Sequence, residues 1–269
     1  MTDIRVGVIG CGGRMGRMVL SELAATKGCR IAGGTEPKES ALFGRDLGDI
    51  AGTGPLGLAV TDKAETLFAG ADVVIDFTTP AASVLHAGMA ARTGTAFVLG
   101  TTGLDDKQLA AVARAARKAP IVRAANMSLG VTLLAALVEK VASVLGPDYD
   151  IEIVEMHHRH KVDAPSGTAL ALGEAAAAGR GVRLAKVGQR SRDGYTGARR
   201  TGDIGFAVLR GGDVVGDHSV VFAGAGERIE LVHRASSRQI FARGAVRAAL
   251  WVADRKPGLY SMRDVLGIS

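Results

Sequence analysis

Ile4-Arg5-Val6-Gly7-Val8-Ile9-Gly10-Cys11-Gly12-Gly13-Arg14-Met15-Gly16 is the stretch that decides how this chain folds. Residues 4–9 form a short apolar run with the pattern of a buried strand. The glycines then force a turn, and Met15, Met18, Val19 and Leu23 fall on one face of a following helix. A strand, a glycine turn and a helix start, in that order, bring backbone N–H groups and the positive end of a helix dipole to one point. A pyrophosphate fits there. Gly10 permits the tight turn, Gly12 or Gly13 clears room for phosphate, and Gly16 lets the helix lie close to the strand. The last glycine comes one residue later than in strict G-x-G-x-x-G, and a bare structural turn is the alternative reading. Glu36 favours the dinucleotide: it lies about twenty residues beyond Gly16, at the end of the next strand pattern, where a carboxylate accepts hydrogen bonds from ribose hydroxyls. By charge it favours NADH over NADPH. Arg14 and Lys38 are near enough in sequence to offset it, so the expected cofactor is NADH, NADPH or both.

Further strand patterns follow at 30–35, 73–77, 96–99 and 121–124, with a helix pattern between 103 and 118. Continuous apolar strands separated by helices predict an α/β domain, a Rossmann-type parallel sheet covered on both faces. Turns just past the C-terminal ends of such strands line the ligand crevice. Phe77-Thr78-Thr79, Gly100-Thr101-Thr102-Gly103 and Ala124-Ala125-Asn126-Met127 occupy those places. After about Asn126 the pattern changes. An apolar helix over 131–145 stops at Gly146-Pro147, and longer strands at 150–156, 204–210, 214–223 and 228–234 are separated by Gly-rich turns. These predict an α+β domain on a mixed or antiparallel sheet. A helix over 239–253 is expected to pack back on the first domain. The expected organisation is therefore 1–128 plus 239–269 as the dinucleotide-binding domain, with 129–238 inserted for substrate binding and oligomerisation.

The 269 residues carry a net charge of +6, with only two cysteines and 4% aromatics. Basic residues form no stripe interleaved with aromatics, so nucleic acid is not expected as a partner. Arginines gather instead between 180 and 210, either a solvated basic loop or a funnel for an anionic ligand. The uncharged run 129–138 is too short to span a bilayer, and the start of the chain lacks a leader pattern, so no membrane association and a cytoplasmic location are expected.

The most unusual segment is 155–168, EMHHRHKVDAPSGT, with three of the six histidines. A metal site is the obvious rival reading, but Arg159 and Lys161 interleave with the histidines, and His157 and His158 point to opposite faces of a strand. No metal is expected. An anion site with proton donors fits better: Ser166-Gly167-Thr168 opens an Ala/Leu-rich helix whose first N–H groups can cradle a carboxylate.

GCGGRMGR, GTTG, AANMSLGV and above all EMHHRHKVDAPSGTA resemble the dihydrodipicolinate reductase family, the 4-hydroxy-tetrahydrodipicolinate reductases. RGGDVVGDHSVVF and ERIELVHRASSRQIFARGAV extend the resemblance over essentially the whole chain. It implies NAD(P)H-dependent reduction of a cyclic imine-like dicarboxylate to tetrahydrodipicolinate, in lysine and diaminopimelate biosynthesis, by a homotetramer joined through the second domain's sheet. It also implies that His157 is the proton donor/acceptor and Lys161 a second donor, with His158, Ser166, Gly167 and Thr168 holding substrate carboxylate. On the cofactor side it points to Gly10, Cys11, Gly12, Gly13, Arg14, Met15, Glu36, Gly100, Thr101, Thr102, Ala124, Ala125, Asn126 and Met127. Pro37 stands where some members carry an arginine for the 2′-phosphate, which leaves the choice of nicotinamide open.

Overall fold

Alternating apolar strands and helices give the first unit of the chain a sheet of six strands, all parallel. The computed structural model describes residues 3–268. In chain order this unit holds β1 (Ile4–Ile9), α1 (Arg14–Ala25), β2 (Cys29–Thr35), α2 (Leu47–Ala51), α3 (Ala64–Gly70), β3 (Val73–Asp76), α4 (Pro80–Thr93), β4 (Ala96–Leu99), α5 (Asp106–Ala115) and β5 (Pro120–Arg123). The chain leaves it at Leu129 and returns at Gln239. The order across the sheet is β2-β1-β3-β4-β5 followed by a last, late strand. The chain thus reverses direction across the sheet between β1 and β3, the switch point at which such sheets open a ligand crevice. Every residue of β3 and β4 is buried, as expected of central parallel strands covered on both faces.

Local chemistry sets the boundaries. The helix expected from Gly103 onward begins at Asp106, because the Asp105 carboxylate accepts the Gln108 N–H and Gln108 reaches back to the Asp105 N–H. Helix α4 gave no periodic signal, since its buried face is Ser83, His86, Ala87 and Ala90 rather than large aliphatics. Its start is nonetheless marked by Thr79, which caps it, and by Pro80 in its first turn.

The second unit contains α6 (Leu129–Leu145), β6 (Asp150–His157), α7 (Gly167–Gly179), α8 (Leu184–Val187), β7 (Gly188–Gln189), β8 (Ile204–Arg210), β9 (Gly216–Gly224) and β10 (Glu227–Ala235). Its mixed sheet runs β10-β9-β6-β8-β7, with β6 antiparallel to β9 and parallel to β8. Helices α6 and α7 bury one face of it around Ile151, Ile153, Phe206, Val220 and Phe222. They cross so closely that a Cβ on Gly179 would lie 2.2 Å from the Glu139 carbonyl oxygen. The run 129–138 proves to be part of a longer apolar helix: Leu129–Asp148 is long and apolar enough to cross a membrane. Glu139 and Lys140 interrupt the apolar run without ending the helix, and Val131, Leu134, Val138 and Ala142 are its buried face. Back in the first unit, α9 (Gln239–Val252) packs on α1, followed by β11 (Gly258–Tyr260), which completes the first sheet beside β5, and α10 (Met262–Leu266).

Candidate active site

The glycine turn after β1 brings the start of α1 close against the end of the strand. Gly10 adopts φ +69°, a left-handed conformation that suits glycine. A Cβ on Gly16 would lie 2.1 Å from the Gly10 carbonyl oxygen, so α1 can start this close to β1 only with glycine there. Gly13 precedes α1 without a side-chain cap, which leaves the first N–H groups of the helix available to an anion. The Glu36 carboxylate reaches back from the end of β2 and accepts the Gly12 N–H at 2.6 Å. Beside it lies a cavity of about 400 Å³ lined by Gly10, Glu36, Pro37, Asp62, Thr79 and His86, among others, with no lysine or arginine in its wall.

The other cofactor positions expected from the sequence lie past β4 and β5, at the same end of the sheet. At several of them the side chain turns inward. Cys11 is fully buried, and burial together with the Glu36 charge pushes its thiol up to about 12. Thr101 is buried and accepts a hydrogen bond from Ser83 Oγ at 2.8 Å. Met127 is 1% exposed, and its carbonyl oxygen would lie 1.7 Å from a Cβ on Gly244 of α9. These three side chains hold the loops in place and leave backbone to face a ligand. Gly100 packs under the Phe77 ring, where a Cβ would meet it at 2.2 Å, while the Asn126 side chain accepts the Ser128 N–H.

In the second unit, strand β6 ends at His157 and the chain returns through a loop with a cis Ala164–Pro165 peptide to Ser166, the N-cap of α7. Glu155 is the hub. It is 1% exposed, and four polar nitrogens converge on its carboxylate. Oε2 lies 2.6 Å from His157 Nδ1 and accepts Arg210 Nη1 at 2.8 Å. Oε1 accepts the Ser166 N–H and Arg210 Nη2, each at 3.0 Å. Burial would raise the carboxyl pKa, but Arg210, His157 and the Ser166 N–H outweigh it and hold it below the usual range. His218 completes the group from β9: its Nε2 lies 3.1 Å from Ser166 Oγ, and its ring meets His157 edge-on at 5.1 Å. Burial, reinforced by the neighbouring His157, pushes its pKa down to about 4, so this histidine is neutral.

The remaining predicted residues surround that buried group. His158 lies 3.4 Å from Arg238 Nη2, and its pKa falls through desolvation and the charges of Arg238, His160, His157 and Lys161. Lys161 Nζ contacts Asp163 at 2.9 Å, so one of the two cations interleaved with the histidines is paired with a carboxylate. Gly167 is exposed and Thr168 half-buried, whereas Ser166 is 1% exposed. The Ser166 hydroxyl accepts the Ala169 N–H and faces His218 rather than solvent. Sequence reasoning assigned no role to Glu155, Arg210, His218 or Arg238. One signal was available: Glu155 and His157, two apart on a strand, share a face. Their cross-strand partners are His218 and Arg210.

The chain matches known proteins over nearly its whole length. Residues 4–127 match the family description "Dihydrodipicolinate reductase, N-terminus" and residues 130–266 match "Dihydrodipicolinate reductase, C-terminus". The chain is 58% identical over 268 residues to 4-hydroxy-tetrahydrodipicolinate reductase 1 of Mesorhizobium japonicum, covering 99% of this chain and 98% of the relative. The Brucella abortus 4-hydroxy-tetrahydrodipicolinate reductase is 56% identical, covering 97% and 98%. Among solved structures, the dipicolinate-bound dihydrodipicolinate reductase of Paenisporosarcina sp. TG-14 superposes with a TM-score of 0.76 at 25% identity, covering 97% and 98% of the two chains. The chain belongs to the dihydrodipicolinate reductase family and is an oxidoreductase of lysine and diaminopimelate biosynthesis.

Proposed function

We propose that the chain reduces 4-hydroxy-tetrahydrodipicolinate, or the dihydrodipicolinate left when it loses water, to tetrahydrodipicolinate, using NADH in preference to NADPH. The observation that carries this reading is His157, backed by the buried Glu155 and joined through that carboxylate to the N-cap of α7. A proton-transfer group is thereby fixed beside a carboxylate cradle. Gly167 and Thr168 offer N–H groups at the start of a helix, where the dipole favours an anion. His158 and Arg238 add donors for a second carboxylate.

Gly10 to Met15 would hold the pyrophosphate of the dinucleotide, with Glu36 at the adenosine ribose. The loops 100–102 and 124–127 would flank the nicotinamide. The bound nicotinamide supplies the hydride. Hydride addition to the conjugated imine leaves an electron pair on the substrate, which His157 protonates, with Lys161 as a second donor. The preference for NADH rests on charge. Glu36 is already committed to the Gly12 N–H, the adjacent cavity also contains Asp62, and its wall offers no cation to a 2′-phosphate.

We place the enzyme in the cytoplasm as a homotetramer assembled through the second sheet. One face of that sheet is covered by α6 and α7. The other carries Val154, Met156, Leu209 and Val232, of which Leu209 is 50% and Val232 44% exposed in the single chain. Glu152, Asp217, Arg228, Glu230 and Arg234 share that face, and an apolar centre with charged surroundings of this kind suits burial against another copy. The reaction is tested by nicotinamide absorbance with substrate formed in situ from pyruvate and aspartate semialdehyde. His157→Gln and Lys161→Ala should each lower kcat by about 10²–10⁴-fold and leave NADH binding nearly intact. Full turnover in both variants would remove the proposed mechanism.

A further inference from the structure

We infer that Glu155 is a positioning residue that fixes the tautomer of His157, with the proton on Nδ1, so that Nε2 is the atom that gives and takes the reaction's proton. This deepens the proposed role of His157 and rests on it. Glu155 has four polar neighbours, and three are donors without choice: both Arg210 nitrogens and the Ser166 N–H. Surrounded in this way, the carboxylate is an acceptor only. The fourth neighbour, His157 Nδ1 at 2.6 Å, must therefore donate to it. A neutral imidazole with Nδ1–H has its lone pair on Nε2.

The surroundings leave Nε2 as the working atom. It lies beside Gly216 of β9, where a Cβ would approach it to 2.9 Å, so glycine there keeps its edge clear. His218, the neutral ring packed against His157, makes its own hydrogen bond to Ser166 and does not compete for either His157 nitrogen. Arg210 acts indirectly: it also donates to the Leu209 and Asp163 carbonyls, which fixes its guanidinium and with it the orientation of Glu155. The same carboxylate thus sets the proton-transfer atom and pins the first residue of the substrate cradle.

The charged and titratable groups around His157 are Glu155 and His158 on its own segment, Arg210 on β8 and His218 on β9. Lys161 and Asp163 lie in the following loop, and His233 on β10 pairs with His218. Among them, Glu155 is the carboxylate in contact with the ring. Replacing it by Gln presents an amide that can donate to Nδ1 and move the proton to Nε2. The wrong tautomer behind a catalytic histidine costs about 10⁴-fold in kcat in a well-studied hydrolase.

The test is nitrogen-15 NMR of the histidine-labelled enzyme at alkaline pH, with His157 assigned by difference from His157→Gln. The expected result is a protonated Nδ1 and an unprotonated Nε2 in the wild-type protein. Glu155→Gln should show the Nε2-protonated form, a kcat at least about 100-fold lower, and an unchanged Kd for NADH. A wild-type His157 with its neutral proton on Nε2 would overturn the inference, even if Glu155→Gln failed to fold. If the tautomer is as inferred but His157→Gln turns over normally, the assigned catalytic role of His157 fails instead.

Discussion

Arg210→Met isolates the electrostatic core of the second unit. The guanidinium makes two hydrogen bonds to Glu155, at 2.8 and 3.0 Å, and its side chain is 20% exposed against 1% for Glu155. Methionine keeps much of the volume and removes the charge. Breaking a buried pair from one side costs about 3–5 kcal/mol, because the remaining charge is left without its counterion. Glu155 keeps the His157 and Ser166 donors, which places the expected loss near the lower end, about 3 kcal/mol. With a urea m-value of about 2 kcal/mol/M, that is a midpoint lowered by about 1.5 M near neutral pH. The loss should depend on pH. In the wild type the folded pKa of Glu155 lies below its unfolded value, so its stabilisation is present at neutral pH and is lost only as pH falls through that lowered value. Without Arg210, burial dominates and the folded pKa rises above the unfolded one. The penalty is then largest at neutral pH and is relieved as the carboxyl takes up a proton. Urea titrations at pH 7.5 and 4.5 should show the gap between variant and wild type narrowing on acidification. A neutral-pH gap below about 1 kcal/mol, or one equal at both pH values, would refute the assignment of Arg210 as the counterion that keeps Glu155 ionised.

Gly16→Ala should weaken NADH binding at least about tenfold and lower the thermal midpoint, because its Cβ would meet the Gly10 oxygen at 2.1 Å and the Cys11 Cα at 2.7 Å, both backbone. Gly88→Ala in α4, whose Cβ would meet only Arg92 Nη1 at 3.7 Å, is the control and should be neutral or slightly stabilising in the same thermal scan. Glu36→Gln keeps an acceptor for the Gly12 N–H and removes the charge. The Kd ratio of NADPH to NADH, followed by nicotinamide fluorescence, should fall about tenfold, one unit of charge repulsion at close range. Leu209→Arg places a cation on the open face of the second sheet. Sedimentation velocity should then show species smaller than a tetramer, and an unchanged tetramer would move the interface elsewhere.

The first unit was legible because its determinants are local. The turn at Gly10, the carboxylate at the end of β2 and the apolar strands are each visible within a few residues, and the parallel order follows from the crossovers between them. What escaped notice is of two kinds. Helix α4 buries alanines, a serine and a histidine, so no hydrophobic period marks it. Its capping threonine and the proline beside it were the usable signal. The uncharged length of 129–138 is a poor measure for the opposite reason: it stops at Glu139, whereas the helix read over 131–145 does continue past Glu139 and Lys140, with Leu134, Val138 and Ala142 on its buried face.

The second unit's chemistry was legible only along β6, because strand pairing brings its other half from distant sequence. His157 and His158 stood out in the run 155–168, yet the group that orients His157 combines Glu155 with Arg210, 55 residues away, and Ser166 with His218, 52 residues away. No spacing in the sequence encodes those pairings; the register of β6 with β8 and β9 does. The structure also changes what Ser166 can contribute. In the sequence it reads as a hydroxyl for substrate. In the fold its hydroxyl caps α7 and faces His218, while its N–H is held by Glu155. In the proposed reading, a substrate carboxylate at this helix would meet the N–H groups at its start in an orientation fixed by Glu155. If so, Ser166→Ala should act through the cap rather than through a lost substrate contact. The expected loss is about 1 kcal/mol of stability, with a KM increase that the neutral helix-capping Ser166→Asn reverses. A KM increase that persists in Ser166→Asn, with the thermal midpoint unchanged in Ser166→Ala, would instead make the hydroxyl a direct ligand.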